Sequence, residues 1–340
     1  MAALAPPEAA ATLRSFLGDV PMFELGSAGS RQARFGPLLA LEYVRRAVAV
    51  SVTKPPGADV VVAASHFHPD AAAVARLARR GTLGVAYVYH LVAGRRGRGL
   101  RTLWSKSDER VGLALLKRFA GVVFTSNRGT EAALAARGFT PVHTAVGVDL
   151  ASFRRAKPSA VGPRATFIAR MARTKGVTDA VEAWARVRAE VPDASLTMVG
   201  TGPERERARA VARQLGIAAA IDWRGFVSED EKREILAQSR LLLAPSYEEG
   251  WGIAVCEGLA SAVPVVAYRH PVLDELFGDA YIATERGDVA GLAERAVRVL
   301  RDNAVADEYS RRGIRTAERY DVMRVAEQEL DVILRAKCAS

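Results

Sequence analysis

Short apolar runs with strand character alternate with helical patterns along almost the whole chain. This alternation is typical of parallel β-sheets wrapped by helices. At 340 residues the chain exceeds the size at which one hydrophobic core stops growing, so we expect two such α/β domains. The predicted strands lie near residues 22–25, 60–64, 85–89, 122–125 and 143–146 in the first half, and 164–169, 195–199, 221–224, 241–244 and 264–267 in the second.

A polar stretch at residues 153–163, with two prolines and a glycine, marks the expected boundary between the domains. We therefore predict an N-terminal domain at 1–155, a C-terminal domain at 156–315 and a terminal amphipathic helix within 316–340. Residues 7–17 have a helical pattern where a doubly wound domain usually starts with a strand. This leaves open whether the first strand is missing.

The chain carries 48 basic and 38 acidic residues, a formal charge of +10, which favours anionic partners. Much of the excess lies at residues 94–106, which we interpret as a glycine-rich basic loop. A peripheral contact of this loop with an anionic membrane is a further hypothesis. A nucleic-acid-binding module is not expected, since nothing beyond net charge favours it.

The cytoplasm is the expected location, at the inner face of the membrane if the basic loop binds lipid. The longest apolar runs are far shorter than the roughly 20 residues of a membrane-spanning helix. The first ten residues lack a secretory signal pattern. Cys256 and Cys338 show no disulfide pattern, which fits a reducing compartment, and Cys256 is expected in the core.

Two basic residues flank a predicted strand-to-helix turn at residues 167–177. Arg170 and Lys175 lie on either side of this turn, ahead of a helix with an apolar stripe. Free backbone N–H groups at a helix N-terminus favour an anion. A diphosphate is therefore the expected ligand of this turn.

A second strand-to-helix turn, at residues 245–260, carries two glutamates. Gly250 and Gly252 allow a tight turn, and Glu249 and Glu257 lie eight residues apart across it. Both glutamates are predicted at the carboxyl edge of a parallel sheet, where open α/β sheets bind their ligands.

Taken together, these segments resemble the retaining glycosyltransferases of family 4, known as glycosyl transferases group 1. The resemblance rests on Arg-x4-Lys-Gly, Gly-Thr-Gly-Pro at 200–203 and Glu-x7-Glu ahead of 261–267, and it covers roughly residues 60–335. Gly-Val-Asp-x3-Phe at 147–153 adds to it, although Val146 replaces the family's usual asparagine. The family implies the GT-B fold, two doubly wound Rossmann-like α/β domains facing a central cleft, with a C-terminal helix crossing back to the first domain.

The resemblance also implies roles for the charged residues. Arg170 and Lys175 would bind the donor diphosphate and stabilise the departing nucleotide, a task that other enzymes give to a metal ion. Glu257 would accept hydrogen bonds from the ribose, and Glu249 would face the donor sugar.

Further residues are implied near the rest of the donor. Gly252 and Ile253 would lie close to the phosphates and sugar hydroxyls, and Gly225 and Phe226 would border the base. His90, at the end of a predicted first-domain strand, would contact the donor sugar or the acceptor.

The implied reaction is retaining transfer of a hexose from a nucleoside diphosphate sugar, with UDP or GDP as the nucleotide, in glycan biosynthesis. The acceptor would be a hydroxyl of a sugar, a lipid-linked molecule or a small molecule. No metal or other cofactor is implied, and the sequence contains no Asp-x-Asp. Catalysis would rest on His90, Arg170, Lys175 and Glu249.

Alternatives remain at this stage. A non-catalytic or truncated GT-B relative would bind the sugar nucleotide without transfer. A nicotinamide dehydrogenase is suggested by Gly200 and Gly202, but Arg205 stands where the third glycine of that fingerprint belongs. His66 and His68 lack a third metal ligand. The family's paired glycines after residue 267 are absent, since residues 268–272 read Tyr-Arg-His-Pro-Val.

Overall fold

The computed structural model describes residues 57–78, 81–91, 99–153 and 162–339, together with two short strands at 3–5 and 22–24. The chain divides into two compact units, Met1–Thr144 with Leu330–Ser340, and Ala145–Glu329. This division lies upstream of the boundary predicted at 155/156. The helix predicted at 7–17, basic residues 94–98 and most of the polar stretch at 153–163 lie outside the described residues.

The first unit is built on a parallel sheet. Its strands pair in the order β3-β4-β5-β6, and a separate parallel pair joins β1 to β2. Connecting helices alternate with the strands of the larger sheet. The elements are β1 (Ala3–Ala5), β2 (Met22–Glu24), β3 (Val60–Ala63), α1 (His68–Leu77), β4 (Leu83–Tyr87), α2 (Gly99–Phe119), β5 (Val122–Thr125), α3 (Arg128–Ala135) and β6 (Val142–His143).

The prediction of a basic loop at 94–106 was wrong for its second part. From residue 99 the segment is the beginning of the 21-residue helix α2. The glycines of this segment favoured a loop. The helix that continues beyond residue 105 nevertheless begins at Gly99 and so includes the second part of the segment. Leu113 and Leu116 of this helix are buried in the core of the first unit.

Alternate residues of the first sheet serve two apolar clusters, as the period of two of a β-strand requires. Ala86 and Val123 face the cluster that α1 and α2 cover. Val85 and Phe124 face the other cluster, against which Val332, Ile333 and Ala336 near the end of the chain pack. Both faces of this sheet are therefore covered by helices.

The second unit is a six-stranded parallel sheet in the order β12-β11-β10-β7-β8-β9. Counted within the unit, this is the strand order 6-5-4-1-2-3 of a doubly wound fold, and the order reverses between β7 and β10. The strands are β7 (Arg164–Ile168), β8 (Ser195–Val199), β9 (Ile221–Gly225), β10 (Leu241–Ala244), β11 (Val265–Tyr268) and β12 (Ile282–Thr284).

Helices lie on both faces of this sheet. Leu241 and Leu243 point into one large cluster and Leu242, between them, points into another. The helix that follows the turn at residues 167–177 was predicted to carry an apolar stripe. This prediction is confirmed, since Val181, Trp184 and Val187 of that helix are all fully buried. The helices are α4 (Val177–Glu190), α5 (Arg205–Gln214), α6 (Glu229–Ala237), α7 (Ile253–Ala260), α8 (Pro271–Phe277), α9 (Val289–Arg301) and α10 (Asn303–Ala317).

The last helix, α11 (Val322–Cys338), begins in the second unit and ends in the first. Val325 is buried, whereas Leu330 is 54% exposed. Cys256 is buried in the core of the second unit, as expected, and Cys338 is exposed. Within the described residues, no helix is long and apolar enough to cross a bilayer.

Two helical glycines give a test of packing in the first unit. A Cβ on Gly112 of α2 would lie 2.0 Å from the carbonyl oxygen of His66, whereas a Cβ on Gly129 of α3 would meet nothing closer than the Asn127 side chain at 3.5 Å. Alanine gains about 1 kcal/mol over glycine from helix propensity alone. We expect Gly112→Ala to destabilise the protein by about 1–3 kcal/mol and Gly129→Ala to stabilise it by up to about 1 kcal/mol.

Thermal and urea unfolding of both variants against the wild type would measure this difference. If Gly112→Ala unfolds at the same midpoint as the wild type, α2 does not pack this closely on the segment after β3.

Candidate functional site

The two predicted motif turns meet at the carboxyl edge of the second sheet. The turn after β7 and the turn after β10 are joined by backbone hydrogen bonds, in which the Thr174 carbonyl accepts from the N–H groups of Tyr247 at 2.8 Å and Glu248 at 3.2 Å. Gly176 has a φ of +63°, and a Cβ there would lie 2.0 Å from the Pro245 carbonyl oxygen. Only glycine therefore allows this approach.

Lys175 and Glu249 form an ion pair across these turns. The Lys175 ammonium donates to Glu249 Oε2 at 2.8 Å and to the Glu248 carbonyl at 3.1 Å. Both side chains are partly accessible, so an anion arriving from solvent can reach the ammonium. Lys175 immediately precedes Gly176, which is the residue before the first turn of α4.

Arg170 follows β7 by two residues and is exposed. Among the described residues, no hydrogen bond or ion pair involves its guanidinium. Its neighbour Met171 is fully buried and bonds through its backbone N–H to the Thr201 carbonyl, which fixes the turn on which Arg170 is carried. The structure thus presents one free guanidinium and one paired ammonium on the same turn.

Gly200 and Gly202 of the next turn have a packing function here. A Cβ on either would fall within 2.3 Å of a backbone oxygen of the turn after β7, at Ala169 or Met171. Arg205, in place of a third glycine, donates to the Trp223 carbonyl at 3.2 Å. Gly200 and Gly202 therefore permit the close packing of two loops. This packing role explains the two glycines that, in the sequence, suggested a dinucleotide-binding dehydrogenase.

Glu257 is buried in the second turn of α7, and its partner is Lys232 of α6. The Lys232 ammonium donates to Glu257 Oε1 at 2.6 Å. Burial raises the pKa of the Glu257 carboxyl above its usual value, and the nearby ammonium offsets only part of this effect. Sequence reasoning missed Lys232, because a run of charged residues in a helix is the ordinary pattern of a solvated face.

The backbone just before α7 adopts a conformation that favours glycine. Gly252 has a φ of +99°, and a Cβ there would lie 2.7 Å from Leu273 Cδ2. Ile253, the first residue of α7, is 49% exposed at this edge of the sheet. The tight turn therefore presents the N-terminus of α7 beside the turn that carries Glu249.

Gly225 and Phe226 lie at the end of β9, on the same edge. Gly225 has a positive φ of +71°, and the Phe226 side chain is 88% exposed. A phenylalanine this exposed is available to pack against a ligand.

A partly buried hydroxyl network next to the site was not predicted. Asp179, in the first turn of α4, accepts through Oδ2 from the hydroxyls of Tyr247 at 2.6 Å and Tyr268 at 2.7 Å. Burial, together with the hydrogen bond to Asp179, raises the pKa of Tyr247 to about 12, so its hydroxyl stays protonated and donates. The carboxylate ties the ends of β10 and β11 to the start of α4. Tyr268 was noted in the sequence only as a departure from the family pattern.

His270 was also missed. It caps α8, where its Nδ1 accepts from the Val272 N–H at 3.3 Å, so the other ring nitrogen carries the proton of the neutral imidazole. Burial lowers the pKa of His270, with Arg286 and Lys175 adding to the effect and Glu249 opposing it. A neutral imidazole with one N–H donor therefore stands near the Lys175–Glu249 pair.

His90 belongs to the first unit and follows β4 by three residues. Its ring lies edge-on to that of His66, with centroids 6.4 Å apart, and His66 is hydrogen-bonded to the buried Glu109 at 3.3 Å. Desolvation lowers the pKa of His90, His66 lowers it further, and Glu109 opposes both. His90 thus lies beside a small His–Glu cluster at the end of the first sheet.

No group of three or more metal-ligating side chains that could hold a metal ion occurs among the residues that the structure describes. His68 is the first residue of α1, with a proline next to it.

Comparison with known proteins agrees with this geometry. Residues 153–318 match the family model of glycosyl transferases group 1. N-acetyl-alpha-D-glucosaminyl L-malate synthase of Bacillus anthracis is 34% identical over 137 residues, 40% of this chain and 35% of that protein. 2-Deoxystreptamine glucosyltransferase of Streptomyces kanamyceticus is 30% identical over 206 residues, 56% of this chain and 53% of that protein. The matched segment thus spans about half or less of these relatives.

Solved structures share the architecture at low sequence identity. Sucrose-phosphate synthase of Thermosynechococcus elongatus superposes with a TM-score of 0.76 at 17% identity, covering 94% of this chain and 84% of the other. HepE of Anabaena, in complex with UDP-glucose, gives a TM-score of 0.74 at 17% identity, covering 96% and 89%. Both resemblances establish the fold that the sequence predicted. Residues 153–318 are therefore similar to the glycosyl transferases group 1 family, and the chain has the GT-B fold.

Proposed function

We propose that this protein is a retaining glycosyltransferase that transfers a hexose from a nucleoside diphosphate sugar to a hydroxyl acceptor. The observation that carries the proposal is the meeting of Arg170, Lys175 and Glu249 where the strand order of a group 1 domain reverses. This is the place where doubly wound sheets bind their ligands. Glu257 lies on the helix that follows the same turn as Glu249.

The diphosphate of the donor would bind between the turn after β7 and the N-terminus of α7. Arg170 offers a guanidinium without an internal partner among the described residues, which suits a bidentate contact with phosphate. Lys175 would exchange part of its contact with Glu249 for a phosphate oxygen. Two fixed cations stabilise the negative charge that grows on the departing nucleotide, so we propose that the reaction requires no metal ion.

The nucleoside would lie towards Glu257 and the sugar towards Glu249. An ionised Glu257 accepts hydrogen bonds from the two ribose hydroxyls, and the exposed Phe226 borders the base. Glu249, held by Lys175, would accept from hydroxyls of the transferred sugar. The leaving phosphate would take the acceptor's proton as the new bond forms on the same face of the sugar, which gives retention.

The remaining parts of the proposal are the transferred group, the acceptor and the location. Relatives named as a glucosyltransferase and an N-acetylglucosaminyl malate synthase support a hexose as the transferred group. The UDP-glucose complex of HepE supports UDP ahead of GDP. We propose a cytoplasmic protein whose His90 contacts the sugar or the acceptor, and whose basic segment at residues 94–106 contacts an anionic membrane surface.

A nucleotide panel tests the donor site. We expect one of UDP, GDP, ADP and TDP to raise the melting temperature by roughly 2–4 °C at about 100 times its dissociation constant. Lys175→Met and Glu257→Gln should abolish most of this shift, because each removes a charged ligand of the nucleotide. Thermal shift at neutral pH, with and without magnesium, measures it.

Two exposed residues provide matched controls. Arg186→Met removes a cation from the outer face of α4, and Glu234→Gln removes a carboxylate from the outer face of α6. Both should keep the wild-type shift. A protein that responds to none of the four nucleotides would refute the donor site.

The proposed metal independence gives a separate prediction. With the sugar nucleotide that binds best, nucleotide release in the presence of a hydroxyl acceptor should change less than about twofold on addition of EDTA, since Arg170 and Lys175 supply the positive charge. A coupled assay for the released nucleotide measures this rate. Loss of activity in EDTA that magnesium or manganese restores would contradict the metal-independent mechanism, and binding without any release would indicate a non-catalytic relative.

A further inference from the structure

Lys232 occupies an unusual position for a lysine on a surface helix. Its ammonium lies between two carboxylates, 2.6 Å from Glu257 Oε1 and 2.8 Å from Glu229 Oε2. Its side chain is only 13% exposed, and that of Glu257 only 8%. The Lys232–Glu257 contact joins helices that follow different strands, so it depends on the folded sheet.

The charge state of this pair follows from its surroundings. Burial acts to lower the pKa of Lys232, but Glu257 and Glu229 together outweigh it and raise that pKa, so the lysine is charged at neutral pH. For Glu257, burial raises the pKa, while Lys232 and, more weakly, Arg233 act against it and Glu229 acts with it. The adjacent thiol of Cys256 is buried with a raised pKa and stays neutral. Lys232 is thus the group that most strongly opposes the rise in the pKa of Glu257.

The two oxygens of Glu257 have different environments. Oε1 is held by Lys232, whereas no hydrogen bond to Oε2 occurs among the described residues. The backbone carbonyl of Glu257 is bonded to Ser261, which fixes this part of α7. One carboxylate oxygen is therefore anchored and the other remains available to accept from a ligand.

We propose that Lys232 is a positioning residue of the nucleotide site, which anchors one oxygen of Glu257 and keeps the carboxylate charged, so that the other oxygen accepts from the ribose hydroxyls. This rests on the proposed donor site. Lys232 acts through Glu257 and touches neither the phosphates nor the sugar. A purely structural ion pair would stabilise the fold without affecting how the site discriminates a nucleoside.

The experiment compares Lys232→Met with the wild type in binding UDP, or whichever diphosphate of the panel binds best, and in binding inorganic pyrophosphate, which has no ribose. By titration calorimetry at pH 7, we expect Lys232→Met to bind the nucleotide about tenfold or more weakly, since a charge-assisted hydrogen bond is lost. Pyrophosphate affinity should change less than twofold.

The pH profile provides a second readout. Because ionised Glu257 accepts from the ribose more strongly than the protonated carboxyl does, nucleotide affinity falls as the pH drops through the pKa of that carboxyl. Removing the Lys232 charge raises this pKa further, so the acid midpoint of binding should move to higher pH in Lys232→Met, and part of the affinity should return at pH 9. If Lys232→Met melts below the assay temperature, Lys232→Gln gives the same readout with a side chain that still donates a hydrogen bond.

Two controls separate the outcomes. Lys117→Met removes a lysine from the first unit and should bind as the wild type does. Glu229→Gln leaves the Lys232–Glu257 pair intact and should not weaken binding. If the wild type binds the nucleotide and Lys232→Met binds it equally well with an unshifted midpoint, or loses nucleotide and pyrophosphate alike, the positioning role is overturned. If the wild type binds no nucleotide, the donor site itself fails, and the role of Lys232 fails with it.

Discussion

The structure of the site depends on one constraint, which is that β7 and β10 are neighbours in a parallel sheet although they are far apart in the chain. The helix after β7 packs on one face of the sheet, where Trp184 is buried, and the helix after β10 packs on the opposite face, where Leu259 is buried. Their connecting turns therefore diverge above the sheet edge and leave a crevice. The carbonyl of Thr174 bridges the two turns at the base of this crevice and sets their spacing.

Two ion pairs stand at this edge, and they differ in what surrounds them. Lys175 and Glu249 lie on turns and keep partial access to water, so phosphate can replace part of their contact without leaving a buried charge unpaired. Lys232 and Glu257 lie on helices and are more deeply buried, so separating them would be costly. The Lys175–Glu249 pair therefore suits an anionic ligand that replaces Glu249 as a partner of the lysine. The Lys232–Glu257 pair suits a ligand that donates hydrogen bonds to the glutamate while the lysine stays in place.

Much of the fold could be predicted from the sequence because buried parallel strands leave dense apolar runs. Every predicted strand of the second half, from 164–169 to 264–267, coincides with a strand of the sheet. Ile282–Thr284 was missed because an edge strand of three residues carries too little apolar pattern. The basic segment was misread because its glycines indicated a loop, whereas helix formation from residue 99 is supported by contacts further along α2.

The site was predictable only where its residues lie close together in sequence. Arg170 and Lys175 belong to one strand-turn-helix unit, and Glu249 and Glu257 belong to another. Within each unit the two residues are only a few positions apart, so a sequence motif can connect them. Lys232 meets Glu257 across 25 residues, and Asp179 meets Tyr268 across 89. Such contacts depend on the packing of separate elements, which local patterns do not encode.

The departure from the family's paired glycines shows how such distant contacts constrain the site. Tyr268 is fully buried, so its hydroxyl needs a partner, and the partner is the Asp179 carboxylate at the start of α4. The same carboxylate oxygen accepts from Tyr247 on the turn that carries Glu249. One aspartate thus fixes three elements together: the helix behind Lys175, the turn behind Glu249 and the end of β11. Because of this link, a change at position 268 would act on the geometry of the Lys175–Glu249 pair even though Tyr268 lies beneath it.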